Sequence, residues 1–242
     1  MLNVLATEFM KLRRNKLFFI LSIVAAILPI VLIGKDIVQF KGRQPLDILA
    51  WSFSLSQVCQ LIVYPILGGF ILTFLIQKEY GDHTIINNLT APVKRVTFII
   101  GKVVIWFTWQ FLLTIIFTLI SCYGAYLLYG QQTLLKFLPQ LLLSDLLTGL
   151  LSWAVFTPIA WIAVLQRENS YTSLIFTLLF TITGAFAVYF PLEVVRFIPW
   201  TAVTYMSATY MTVISWPICL SIGGCAILGL FMTYHSFMRQ EL

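Results

Sequence analysis

Charge is scarce in this chain, with nine acidic and fifteen basic residues among 242. Apolar residues make up 60% and the mean hydropathy is +0.94, more than a soluble core can absorb. Histidine is scarcer still: His83 and His235 are the only two, and neither stands in an H-E-x-x-H setting, which excludes the commonest helical zinc hydrolase site. No G-x-S elbow and no G-x-G-D pair occurs, and "EYGD" at 79–82 lacks the first glycine of the latter. The phosphate-cradling G-x-x-x-x-G-K-[ST] loop is also missing, since the spacing from Gly224 to Gly229 continues as Leu230. Cys59, Cys122, Cys219 and Cys225 all sit in apolar runs without a C-x-x-C pair, so they read as small packing residues, neither disulfides nor metal ligands. Together these absences leave no expected catalytic residue, no metal site and no bound cofactor.

Long apolar stretches are what the chain does have. Runs free of Asp, Glu, Lys and Arg cover 17–34, 48–77, 103–135, 146–166, 169–192 and 197–238. A helix crossing the hydrocarbon core needs about 20 such residues. The alternation of a barrel strand is absent, so an all-α integral membrane protein is expected, one domain over 1–242. Six transmembrane helices fit, near 17–34, 54–76, 103–128, 140–165, 171–190 and 213–235. The last run is too long for one span, and Pro199, Thr201, Thr204, Ser207, Thr209 and Thr212 make its first third polar. Residues 191–212 therefore read as a dipping or surface-lying segment, with a seventh span as the alternative.

With six spans, ten Lys and Arg fall on one side and five on the other, which places both termini in the cytoplasm. The net charge of +6 needs no nucleic acid, because basic residues beside the bilayer suit anionic lipid. Within the first sixteen residues Leu5, Phe9 and Leu12 recur at helical spacing, with Arg13 and Arg14 nearer the bilayer. Such a segment can lie in the interface; a charged flank that only sets topology is the plainer reading.

The spans have features of their own. Gly68 and Gly69 are expected to break the second, and close helix contact is expected both there and at Ser221, Cys225 and Gly229, four residues apart on the last. Trp51, Trp106, Trp109, Trp200 and Trp216 suit the membrane interfaces, and Phe117 is expected to face lipid. Asp145, near the outer start of the fourth span, reads as an interfacial carboxylate; paired with Asp82 it is the only hint of an intramembrane acid pair.

The polar passage "QKEYGDHTIINNLTAPVKRVTF" at 77–98 interrupts two greasy stretches. Asp82 can cap a helix start, Thr84 to Leu89 can form a turn and a half, and Pro92 stops it. Ile85, Ile86 and Leu89 then make a small apolar ridge for a partner groove; a loop whose isoleucines dip into lipid is the alternative.

Three segments taken together resemble the permease subunits of ABC-2-type exporters, and among them the small permeases of bacitracin and lantibiotic self-protection. They are "EFMKLRRNKLFFI" before the first span, "EYGDHTIINNLTAPVKRVTFIIGK" between spans two and three, and "FPLEVVRFIPWT" between spans five and six. The resemblance implies an interfacial elbow helix at 1–16, a cytoplasmic coupling loop at 77–102 and an extracellular re-entrant segment at 191–212. It further implies that Glu79, Gly81, Asp82, Thr84, Ile85, Ile86, Asn88, Leu89 and Arg95 couple to an ATPase, with Arg167 and Glu168 as a second contact. ATP and Mg would then be bound by two separate ATPase subunits, beside a second copy of this chain or a related permease in the bacterial plasma membrane. An amphipathic antimicrobial peptide is the implied cargo. An intramembrane enzyme and an ATPase-independent channel or receptor are the rival classes.

Overall fold

A computed structural model describes residues 10, 16–40, 47–81, 95–166, 171–212 and 215–239. Every regular element among them is helical. Helix α1, Lys16–Gln39, is apolar on all sides and spans about 36 Å at 1.5 Å per residue. The second run forms one rod from three pieces: α2, Ile48–Ser56; a π-helical stretch, Gln57–Val63; and α3, Tyr64–Gly81. The backbone N–H of Tyr64 reaches Cys59 O, five residues back, as the wider winding requires.

Gly68 and Gly69 do not break this rod. Helix α3 runs through both, because hydrocarbon gives the backbone no partner outside its own helix. What the glycines provide is close approach. A Cβ at Gly68 would lie 2.9 Å from Trp106 Nε1, and one at Gly69 would lie 2.6 Å from Thr177 Oγ1.

Helix α4, Arg95–Val155, would be about 90 Å long if straight, three times the hydrocarbon thickness. It is interrupted at Gly130, whose φ of 77° and ψ of 168° lie outside the helical region and favour a residue without Cβ. The arms 95–129 and 131–155 fold back as a hairpin. Phe107 and Trp153, each 23 residues from Gly130, meet edge to face at 4.8 Å between ring centroids. A second bend follows at Phe156 and Thr157, before α5, Pro158–Leu165. Pro158 cannot donate to Ala154 O; Thr157 Oγ1 does so instead, at 2.9 Å.

Helix α6, Tyr171–Ala185, continues as a 3-10 turn, Phe186–Tyr189. The segment expected to dip or lie on the surface contains two helices, α7, Leu192–Val195, and α8, Pro199–Ala208. Thr201, Ala202, Val203, Thr204, Met206 and Ser207 of α8 are buried, packed on α4, α6 and the last helix, α9, Trp216–Met238. Its hydroxyls are thus helix-packing groups. Tyr210 and Met211, just beyond α8, both have positive φ, 52° and 58°.

The ends of these elements gather in two groups. Trp109 Nε1 donates to Ser22 Oγ at 2.9 Å and Gly124 faces Ile33, so α1 runs parallel to arm 95–129. Phe98 stacks on Phe237 at 5.7 Å, and Trp161 Nε1 donates to Ser236 Oγ at 2.8 Å. The starts of α1 and α4 and the ends of α5 and α9 therefore share one end of the bundle, while the opposite end holds Gly130 and the junction of α1 with α2, where Trp51 Nε1 donates to Asp36 at 2.9 Å.

Several side chains lie elsewhere than expected. Trp51, Trp106 and Trp109 are buried between helices, Trp200 stacks on Phe180 at 4.2 Å, and of the five tryptophans expected at the interfaces only Trp216 is largely exposed. Phe117 faces protein, not lipid: it is 0% exposed and meets Tyr64 edge to face at 6.2 Å. The contact predicted on the last span is present, with Cys225 Sγ 3.5 Å from Val155 O and Gly229 against the Thr157–Pro158 bend.

Candidate functional site

Polar residues recur at four-residue spacing inside three apolar stretches: Ser52, Ser56 and Gln60; Gln110, Thr114 and Thr118; Thr148 and Ser152. That spacing puts each set on one helical face. The three faces turn inward and meet, and all eight side chains are buried. Asp145 joins them and is 0% exposed. This corrects the interfacial reading: the residue stands on the inner face of the hairpin, so helix packing, not the lipid boundary, sets its surroundings.

Ser56 Oγ donates to Asp145 Oδ1 at 3.0 Å and Ser52 Oγ reaches the same oxygen at 3.4 Å. Ser121, on the arm 95–129, supplies a third hydroxyl beside the carboxyl. One turn along from Ser56, Gln60 sits in the π-helical stretch with its side-chain oxygen against Gly149, where a Cβ would lie 2.7 Å away. Thr114 closes on the same glycine. Thr148 Oγ1 donates to Ser207 Oγ at 3.1 Å, which ties α8 to the cluster.

Not every atom in this knot is satisfied. Asp145 Oδ2, both amide atoms of Gln60, Gln110 Nε2 and Trp106 Nε1 are buried without a hydrogen-bond partner. Such atoms are costly in an apolar interior, and a π-helical turn beside them is a frequent companion of function. An intramembrane carboxylate is a functional candidate by default.

The coupling residues read from the sequence fall differently. Glu79 and Gly81 lie on the last turn of α3 and Arg95 begins α4, each placed as backbone. Asp82, Thr84, Ile85, Ile86, Asn88 and Leu89 lie outside the described residues, as do Arg167 and Glu168 and the interfacial set Leu5, Phe9, Leu12, Arg13 and Arg14. Arg95 starts α4 at the end of the bundle that also receives α5 and α9. Asp82 as a mate for Asp145 likewise falls outside the described residues. The cluster around Gln60 escaped the sequence reading, although its signal, a polar residue every fourth position within an apolar run, was present.

Four stretches of the described residues are long and apolar enough to cross a membrane, 16–39, 48–77, 96–165 and 216–238, and the third is the folded hairpin with its extension. The architecture is that of a multi-pass helical membrane protein. Comparison with known proteins gives it a family: the model for ABC-2 family transporter protein matches residues 4–184, and the chain belongs to that family. It is thus the membrane subunit of a transporter, in a family that normally works with an ATPase partner. The chain is also 25% identical over 187 residues to the Bacitracin transport permease protein BCRB of Bacillus licheniformis, covering 73% of this chain and 84% of that one.

Proposed function

We propose that this chain is the membrane-spanning permease of an ATP-driven exporter that moves an amphipathic antimicrobial peptide outward, or expels it from the bilayer, for self-protection. The observation that carries the reading is the family match over 4–184, which takes in the whole connection between Gly81 and Arg95. The likeness to a bacitracin permease supports the cargo class. In this reading the chain crosses the plasma membrane six times with both termini and the connection 82–94 in the cytoplasm. The gathering of helix ends into two groups supports that topology. Residues 191–212 then lie toward the outside as a re-entrant element. Two ATPase subunits hold ATP and Mg, and a second copy of this chain or a related permease completes the pathway.

Residues 82–89 act as the coupling helix, with Ile85, Ile86 and Leu89 seated in a groove of the ATPase and Arg167 with Glu168 as a lesser contact. Residues 1–16 form the interfacial elbow. Replacing Ile85 and Leu89 together by Ala removes two interface anchors, a loss of about 2–4 kcal/mol of docking energy. The expected outcome is a permease that inserts normally, retains less ATPase on co-purification and no longer protects cells from peptide. Phe19→Ala, at a side chain 66% exposed on α1, serves as the control and changes neither. A double variant that keeps its ATPase and full protection removes the coupling role from this segment.

A further inference from the structure

We propose that Asp145 is a resident proton-binding site: the folded permease holds a proton on Oδ2, with Oδ1 accepting from Ser56 and Ser52 and Gln60 as the polar partner one turn away. The inference is independent of the cargo and of the ATPase. It begins with burial. A carboxylate in hydrocarbon must be neutralised by a cation or by a proton. Among the described residues the groups placed against this carboxyl are the hydroxyls of Ser56, Ser52 and Ser121, none of them cationic. The titratable groups that face it are Cys59, from the π-helical stretch, and Cys122, from the arm 95–129.

The unpartnered atoms distinguish a proton from a metal cation. Two of them, Asp145 Oδ2 and Gln60 Oε1, are acceptors, while Gln60 Nε2, Gln110 Nε2 and Trp106 Nε1 are donors. A bare cation serves acceptors alone and is repelled by N–H groups at the same place. Packing is close on this side, where a Cβ added at Gly149 would meet both Thr114 and Gln60 Oε1. A proton needs no room. It also converts Oδ2 from an acceptor without a partner into a donor, and the acceptor without a partner in the same cluster is Gln60 Oε1.

The consequence is a pH-dependent contact between the arm 131–155 and the rod 48–63. With the proton in place the contact is neutral; without it the contact holds an unpaired charge in an apolar interior. Infrared spectroscopy of the full chain in lipid nanodiscs tests the site directly. Wild type minus Asp145→Asn is expected to show one protonated-carboxyl carbonyl band at neutral pH, unchanged when sodium is replaced by potassium. Ser56→Ala, which removes the donor to Oδ1, is expected to move that band to higher frequency. Asp145→Asn is also expected to keep the thermal midpoint at neutral pH within about 4 °C of wild type while flattening its fall toward alkaline pH. If Asp145→Asn does not fold, the band and its shift in Ser56→Ala still decide the question. A difference spectrum holding only carboxylate bands, a band that responds to sodium, or a band indifferent to Ser56→Ala overturns the proposal.

Discussion

Helix α1 and the rod 48–77 are both apolar enough to cross a membrane, yet most of the first lies outside protein contact while about two thirds of the second is buried. The difference lies in where polar atoms sit. In the rod, Ser52, Ser56, Gln60 and Thr73 all face other helices; Thr73, for example, shares a 2.9 Å hydrogen bond with Ser173 on α6. In α1 the one intramembrane hydroxyl, Ser22, bonds back to Phe18 O and accepts from Trp109, and the outward face is Phe19, Ile23, Ile27 and Ile30. Lipid is as apolar as a leucine side chain, so burial of carbon gives little preference for protein over lipid, and packing and polar contacts decide which helix becomes central.

The largest expected effect that bears on this contrast comes from Phe117. Cutting this buried ring to Ala should cost about 3–5 kcal/mol, read as a lower unfolding midpoint in detergent, whereas Phe19→Ala on the lipid face should leave the midpoint within experimental scatter. Equal effects would mean that the ring packed on Tyr64 of the rod and the ring on α1 do not differ in environment. Next comes Gly229→Ala on α9, where a Cβ would sit 2.6 Å from Pro158 N and 2.8 Å from Thr157 C. Backbone cannot step aside, and a loss of about 1–3 kcal/mol is expected. Gly224→Ala, on the same helix with nothing among the described residues within 4 Å of the added carbon, should instead be neutral or stabilise by up to about 1 kcal/mol through helix propensity.

Gln60→Met sharpens the comparison within the rod. Removing the amide takes away the acceptor proposed for the Asp145 proton and should cost about 1–3 kcal/mol, read as a lower unfolding midpoint at neutral pH. A variant with an unchanged midpoint would remove Gln60 from the proton site. The smallest change concerns Tyr210, at φ 52°: Tyr210→Gly relieves the left-handed backbone and should raise the midpoint slightly, by about 1 kcal/mol or less after the entropy cost of glycine.

Much of the architecture was legible in the sequence. The apolar runs read as helices, and α1 at 16–39 and α9 at 216–238 overlap the expected spans 17–34 and 213–235. The small residues Cys225 and Gly229 announced a close contact that the fold contains. Other signals misled for physical reasons. Trp51 and Trp106 were placed at the interfaces because tryptophan favours them on average, but each instead fills a large volume between helices. For 191–212 polarity leaves a dipping and a surface-lying segment both open; Thr201 and Thr204 bond back to nearby backbone carbonyls and Ser207 accepts from Thr148, which suits burial among helices.

The sequence by itself determined the medium, the helical class and the family. Those follow from sums over many residues and from local motifs, and hydrocarbon permits few alternatives to a helix. Only the tertiary structure decided which face of each helix meets protein, that Asp145 is enclosed, and that Gln60 stands beside Gly149 in a π-helical turn. Protein interior and lipid are equally apolar to a hydropathy scale, so which of the two a residue faces is set by shape complementarity between helices distant in sequence.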